Sequence, residues 1–319
     1  MSCTRPIRRW LDESTRVFRD ALDSDQPVVR GLCAHLERYH GKQLRPAFLL
    51  LSAAATGGVR RAHVRLAAVV ELVHIATLVH DDVLDDADVR RAAPATHRLC
   101  GNERAVLLGD YLFSHAYRLC STLDSQFAAE QIGRTAATLC EGEMMQVTHR
   151  GDFDVSEDLY LEIIRRKTAS LIATCGLLGA HYAGADERTC ARLETVGRSL
   201  GVAFQIVDDV LDIDGDEGVV GKSLHRDVEM GKLTLPVIHH LATVDDAQRR
   251  VMLDLLQSST PDRDAGIRTA LASSDSLDYA LNTAQTFVQN ALDALEGLPP
   301  SEARDSLQAM AEFVVVRRR

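Results

Sequence analysis

The sequence predicts an all-α protein, and three observations carry that expectation. No proline occurs between Pro94 and Pro236, and alanine, leucine, arginine and glutamate dominate that stretch, which is helix composition. Apolar residues recur at helical spacing, and no run alternates apolar with polar residues as a half-buried strand does. The interruptions are short and rich in glycine or proline, so neighbouring helices should lie antiparallel. The architecture expected is a single large antiparallel helical bundle around a central apolar cavity, with residues 1–319 forming one domain.

Taken in order, helices are expected over residues 6–22, 27–40, 45–56, 60–88, 101–122, 125–149, 156–183, 186–214, 232–243, 246–258, 262–273, 275–296 and 300–316. Pro46 suits the first turn of the third helix, where its missing N–H costs nothing. Gly57–Gly58 ends that helix, and Ala92–Pro94 ends the next. Later breaks fall at Gly151, Gly184, Gly215–Gly221, Pro261 and Pro299–Pro300. The C-terminal third reads as a covering layer without detectable chemistry.

A hydrophobic content of 46 % over 319 residues is enough to bury a full core. The formal net charge of −10 argues against a nucleic-acid surface, and the Arg317–Arg319 tail is too short to reverse it. The seven cysteines form no CxxC pair and read as small buried hydrophobes in a reducing compartment. No uncharged apolar run reaches the length of a membrane span, and the start, MSCTRPIRRWLDESTR, lacks the apolar core of a signal peptide. A soluble cytoplasmic protein is expected.

The chemistry is concentrated in Glu71 to Arg91, ELVHIATLVHDDVLDDADVRR. On a helix Asp81 and Asp85 lie one turn apart, with about 5–6 Å between Cβ atoms, close enough to share one divalent cation. Asp82 stands beside them. Beneath Asp81 on that face come Thr77, His74, Val73 and Val70, so the acids crown an almost wholly apolar stripe. A solvated acidic helix end would be the ordinary reading of such a run. Against it, the pentapeptide DDVLD returns as Asp208, Asp209 and Asp212 in QIVDDVLDID, again after an apolar run. Clustered carboxylates repel one another, and a polyvalent cation with an anionic ligand removes that objection.

Cations accompany the acids. Gly41-Lys42-Gln43-Leu44-Arg45-Pro46 places two on a turn, Arg90 and Arg91 close the first acidic helix, and Lys167–Thr168 sits where the surroundings turn apolar. Lys222 and Lys232 flank a glycine-bearing loop after the second motif. Singly, each is an ordinary surface or helix-end cation. Together they form a sorted pattern, with acids for metal-bridged phosphate and cations for direct phosphate contact. Magnesium suits it best, because that ion prefers oxygen ligands and shares carboxylates with substrate phosphates.

The ordered set GKQLRP, HDDVLDDADVRR, GNERAVLLGDYL, GEMMQ, RRKTASL, GVAFQIVDDVLDIDGD and GKSLHRDVEMGKLTLP resembles that of all-trans polyprenyl diphosphate synthases of the long-chain type, which have the isoprenoid synthase fold. The resemblance implies that Lys42, Arg45, His74 and Arg91 hold isopentenyl diphosphate. It implies that Asp81, Asp82, Asp85, Asp208, Asp209 and Asp212 serve about three magnesium ions bridging an allylic diphosphate, with Asp81, Asp82, Asp85, Asp208 and Asp212 as ligands. Arg90, Lys167, Thr168, Gln205, Lys222 and Lys232 match allylic-substrate contacts, and Lys167 and Lys232 with the aspartates match the catalytic set. Two departures stand out: Gln43 where the family commonly has a basic residue, and Ala92 where it has glycine. A homodimer, or the catalytic half of a heteromer, is also implied. The product would pass to a membrane, as quinone side chains do, from a protein with no membrane span.

The implied reaction is ionisation of the allylic diphosphate, attack by the isopentenyl double bond on the carbocation, and proton loss. Apolar walls would keep water from the cation. Product length should depend on what blocks the stripe beneath Asp81, where one turn of about 5.4 Å matches about one five-carbon unit. The gate positions are Thr77 and Ala76, then Val73; strict wheel geometry favours Thr77 over Ala76. No aromatic lies between Gly57 and Val79, so a long product of about seven to nine units is expected, with a geranylgeranyl product as the alternative. A floor from Phe113 or Met145 is open. Competing readings are a di-iron bundle using Glu37–His40 and Glu71–His74, a calcium loop at Asp212–Asp216, a terpene cyclase and a non-catalytic subunit. The calcium loop fails because Gly215 and Ser223 stand at the wrong places.

Overall fold

A computed structural model describes residues 2–36, 39, 41–90, 93–214, 226–258, 260 and 262–316. Among them the protein is helical apart from one two-residue strand pair, in agreement with the expected class. The expectations at Glu37, His40, Arg91, Ala92, the Gly215–Gly221 break and Lys222 lie outside the described residues.

A 3-10 turn, Ser2–Ile7, leads into α1 (Arg8–Leu22), α2 (Pro27–Leu36), α3 (Leu44–Thr56) and α4 (Arg61–Leu84). Strands β1 (Val89–Arg90) and β2 (Ala93–Pro94) pair antiparallel, with Val89 opposite Pro94. They are followed by α5 (Thr96–Cys100), α6 (Asn102–Ser121), α7 (Phe127–Thr148), α8 (Glu157–Ile164), a π turn (Arg165–Ala169), α9 (Ser170–Ala183) and α10 (Glu187–Asp214). The chain continues through α11 (Arg226–Glu229), α12 (Leu235–Thr243), α13 (Asp246–Gln257), α14 (Arg263–Ala272), α15 (Ser276–Glu296) and α16 (Glu302–Val316).

The residues group into two compact units, the first being 1–137, 171–197 and 292–310, the second 138–170, 198–291 and 311–319. In the first, α4 is the central element. It packs most extensively on α6, and also on α1 and α3. Its residues Leu66 to Val73 are all but sealed from solvent. By length and composition α4 could cross a bilayer, yet 72 % of its most apolar window is buried inside the protein, as befits a core helix. In the second unit Ile213, Val228, Val237, Leu241, Met252, Ile267 and Leu271 make one apolar cluster. Local chemistry sets several helix starts. Ser156 accepts a hydrogen bond from the Leu159 N–H at 3.2 Å, and Asp245 accepts from the Ala247 and Gln248 N–H groups at 2.9 Å.

Three departures from the expected elements bear on the site. The helix expected over 60–88 stops at Leu84 in a Schellman arrangement, where the N–H of Ala87 donates to Asp82 O at 2.9 Å and that of Asp86 to Val83 O at 3.3 Å. Asp86 occupies the left-handed position usually given to glycine, with φ 46°, which a short polar residue tolerates. The β1–β2 pair and α5 then fill what was expected to be a plain break. Finally, the helix expected over 156–183 is interrupted by the π turn, a feature that often marks functional sites.

Candidate active site

The first acidic motif ends α4, and its five carboxylates are sorted into different tasks. Asp82 is completely buried. Its Oδ1 accepts from Arg90 Nε at 2.8 Å and also from Arg90 Nη2, while its Oδ2 accepts from the Tyr39 hydroxyl at 2.8 Å. Arg98 holds the next two, donating through Nη2 to Asp86 and through Nε to Asp88, each at 2.9 Å. Asp81 and Asp85 remain partly exposed one turn apart, the Asp85 N–H donating to Asp81 O at 2.8 Å. Asp82 was expected among the metal ligands. Its oxygens face inward onto Tyr39 and Arg90, so the outward pair of this motif is Asp81 and Asp85.

On the last turns of α4 below Asp81, the half-buried residues are His74, Thr77, Leu78 and His80, whereas Val73 and Ala76 are fully buried. The Thr77 hydroxyl donates back to His74 O at 2.8 Å and is thereby satisfied within the helix. Of the three gate positions named from the sequence, Thr77 alone shares the accessible stripe with Asp81; Val73 and Ala76 pack inward. Phe113 lies against His80 with the rings tilted by 36° and their centroids 6.0 Å apart, where Gly109 lets α6 approach the His80 ring.

The GKQLRP turn lies in the same unit. Arg45 Nη1 approaches His74 Nε2 to 3.1 Å, so two residues expected to hold isopentenyl diphosphate are brought together. The guanidinium can only donate, so the imidazole Nε2 accepts. Lys42 is exposed. Gln43 stands between the two cations in the left-handed region, φ 49°, and its amide donates to Thr15 Oγ1 at 2.9 Å.

The second motif lies on α10, in the second unit. Asp209 is buried, its Oδ2 accepting from the Tyr160 hydroxyl at 2.6 Å and its Oδ1 from Gln205 Nε2 at 2.7 Å. Gln205 Oε1 in turn accepts from Thr168 Oγ1 at 2.8 Å. Burial, reinforced by the nearby charge of Asp227, pushes the Asp209 carboxyl up to about 8. Burial beside Asp209 likewise carries the Tyr160 phenol well above its usual value. Asp208 and Asp212 stand one turn apart on the same helix, Asp212 almost fully buried and accepting from the Asp227 N–H at 3.4 Å.

The π turn carries Lys167 and Thr168. A Cβ on Gly142 of α7 would sit 2.6 Å from Lys167 N, and one on Gly201 of α10 would sit 2.5 Å from Ala169 Cα. Bare backbone on both neighbours therefore lets the widened turn fit. Lys167 pairs with Glu143 and donates to Gln146 Oε1 at 2.8 Å, both from the GEMMQ segment of α7. Lys232 follows Gly231, whose φ of 67° and close contact with Gly151 fix the turn. With Phe153, Glu229, Leu256 and Arg263 it lines a cavity of about 330 Å³.

Sequence reasoning missed Tyr39, Tyr160, Glu143, Gln146, Arg98, Gly142 and Gly201. The four-residue row Gly197, Gly201, Gln205, Asp209 along α10 was the one available signal for a close packing face.

Among the described residues no three acidic, histidine or cysteine side chains already form a metal cage. The donor chemistry nonetheless fits magnesium, which is held by one or two carboxylates and completed by phosphate oxygens and water. Paired acids at helix ends, with lysine, glutamine and threonine side chains fixed beside one pair, define a helical enzyme that handles diphosphates through a hard divalent cation.

The family model for polyprenyl synthetases matches residues 26–273. The chain is 34 % identical over 316 residues to a short chain isoprenyl diphosphate synthase of Methanothermobacter thermautotrophicus, covering 98 % of this chain and 97 % of the relative. It is also 34 % identical over 294 residues to heptaprenyl diphosphate synthase component 2 of Geobacillus stearothermophilus, covering 92 % and 91 %. A crystal structure of a polyprenyl synthase from Caulobacter crescentus, complexed with calcium and isoprenyl diphosphate, superposes with a TM-score of 0.95 at 33 % identity, covering 100 % of this chain and 98 % of that one. The chain belongs to the polyprenyl synthetase family. It is a trans-prenyltransferase, a prenyl diphosphate synthase of a magnesium-dependent family.

Proposed function

We propose that the chain condenses isopentenyl diphosphate with an allylic diphosphate, farnesyl or geranylgeranyl, to a long all-trans polyprenyl diphosphate of about seven to nine five-carbon units. The observation that carries the length is the accessible stripe of α4. One turn below Asp81 stands Thr77, its hydroxyl turned back into the helix, and α4 contains no phenylalanine, tyrosine or tryptophan to stop a growing chain. Equal identity to a short-chain enzyme and to a heptaprenyl component means that overall similarity does not choose between products, so the local argument decides.

In this reading Asp81, Asp85, Asp208 and Asp212 would hold about three magnesium ions, which when bound stabilise negative charge on the leaving diphosphate. Lys167, Thr168, Gln205, Lys222, Lys232 and Arg90 orient that diphosphate, and Lys42, Arg45, His74 and Arg91 orient isopentenyl diphosphate. Preorganised donors of this kind act where charge develops, without reorganisation during the reaction. Apolar α4 residues exclude water from the carbocation, and the departing diphosphate takes the proton. The whole chain, 1–319, acts as one synthase domain, pairs as a homodimer and works in the cytoplasm. A heteromer is the second reading, favoured by the likeness to the Geobacillus relative, component 2 of a heptaprenyl diphosphate synthase.

The test is turnover of farnesyl diphosphate and labelled isopentenyl diphosphate with magnesium, read by product chromatography, with native mass giving the assembly. Products of about C35–C45 are expected, shortened by Thr77→Phe, with turnover lost in Asp81→Ala and Asp208→Ala. A C20 product from the wild type, or an unchanged length in Thr77→Phe, overturns the gate.

A further inference from the structure

In each acidic motif the second aspartate is buried, and in each it meets a buried tyrosine. Tyr39 and Tyr160 are 1 % and 4 % exposed, too deeply buried for substrate contact to account for them. The Tyr39 hydroxyl is saturated, donating to Asp82 at 2.8 Å while accepting from Thr96 N at 3.1 Å and Thr96 Oγ1 at 3.0 Å. Its aspartate uses the remaining oxygen for the Arg90 guanidinium. The Tyr160 hydroxyl donates to Asp209 at 2.6 Å, whose other oxygen takes the Gln205 amide, which in turn takes the Thr168 hydroxyl. The same relay is thus built twice from unrelated local sequence: tyrosine, second aspartate, then a residue read as a diphosphate contact.

We propose that Tyr39 and Tyr160 are positioning residues for the diphosphate, each fixing through its aspartate the side chains that grip it, Arg90 in one relay and Gln205 with Thr168 in the other. The aspartate alone has two oxygens and free torsion about its terminal bond. A donor locked on one oxygen fixes the plane of the carboxylate, so the lone pairs of the other oxygen point in set directions, and those directions orient the guanidinium or the amide. The inference rests on the diphosphate-transfer reading above.

The test uses the full-length protein with Tyr39→Phe and Tyr160→Phe, and as a control Thr135→Ala, which removes a buried 2.7 Å hydrogen bond to Thr174 that belongs to neither relay. Binding of a non-reacting probe, farnesyl thiodiphosphate with magnesium, is measured by calorimetry beside melting temperature and turnover. Each tyrosine variant is expected to bind the probe about tenfold more weakly and to raise the KM of the allylic substrate by a similar factor, as loss of an orienting partner does. The control should lower the melting temperature without changing probe affinity. If the tyrosine variants match the wild type in probe affinity while melting like the control, their role is structural only and the proposal fails. Should one variant not fold, the other decides, because each relay stands in its own unit. Wild-type protein that binds the probe but makes no product would sink the assigned reaction and leave the tyrosine result to be read on binding alone.

Discussion

The substitution Gly201→Ala tests whether the π turn is held by close backbone contact. The new methyl group would stand 2.5 Å from Ala169 Cα and 2.7 Å from Ala169 Cβ, where ordinary contact begins near 3.4 Å. One partner must therefore retreat by about 0.9 Å, and both are helical backbone with no flexible end to yield. Overpacking of this kind costs about 1–3 kcal/mol, against a gain of about 0.5–1 kcal/mol from replacing a helical glycine, and because both partners are backbone the upper half of the resulting range, a net loss of about 1–2.5 kcal/mol, is expected. The same displacement stretches the 2.8 Å Thr168–Gln205 bond beyond hydrogen-bond length. A misplacement of about 1 Å in a positioning group costs about a hundredfold in rate. The assay is steady-state condensation with the allylic substrate varied, alongside thermal melting. A variant that melts no lower than wild type and keeps kcat/KM within about twofold would refute the close approach.

Other outcomes follow from different parts of the molecule. Gly133 on α7 has open space where a Cβ would go, so Gly133→Ala should stabilise by about 0.5–1 kcal/mol, seen as a raised Tm. Arg45→Ala should raise the KM for isopentenyl diphosphate about 10- to 100-fold, the worth of a charged hydrogen bond, and leave the KM of the allylic substrate within about twofold. A pH dependence is expected in the metal-free protein. The Asp209 carboxyl is raised from 3.8 to about 8 by burial and by Asp227. The stability it contributes is therefore fully present below 3.8 and is lost as the pH rises toward about 8. Melting curves from pH 4 to 8 should fall less steeply for Asp209→Asn than for wild type, and parallel profiles would contradict the assignment.

The helices were legible because amphipathic spacing survives in any context, and α4 lay within a few residues of its expected bounds. Its true end was not, because Asp86 takes a left-handed conformation that sequence assigns to glycine, and Arg98 braces it from twelve residues on. The sorting of the acids was equally hidden. DDVLD offers three equivalent carboxylates, and only Tyr39, 43 residues before Asp82, marks which one faces inward. Tyr160 does the same for Asp209 from 49 residues away. The motif resemblance gave Arg45 and His74 only as two contacts to one substrate; their direct pairing was not anticipated, and no local pattern announces it. Nothing in RRKTA distinguishes five residues in a π turn from five in an α-helix.

That widened turn also sets the angular phase of the helix around it. Tyr160 and Thr168 are eight residues apart, which in an unbroken α-helix points them roughly 80° away from each other. One surplus residue in the turn takes back about 100° and leaves them within roughly 20° of a common line, so that both reach the Asp209–Gln205 row of α10. Tightening that turn to plain α-helix with every residue kept would therefore not merely lengthen the helix. It would rotate everything upstream against everything downstream by about 100°, so that Tyr160 and Thr168 could no longer both reach that row.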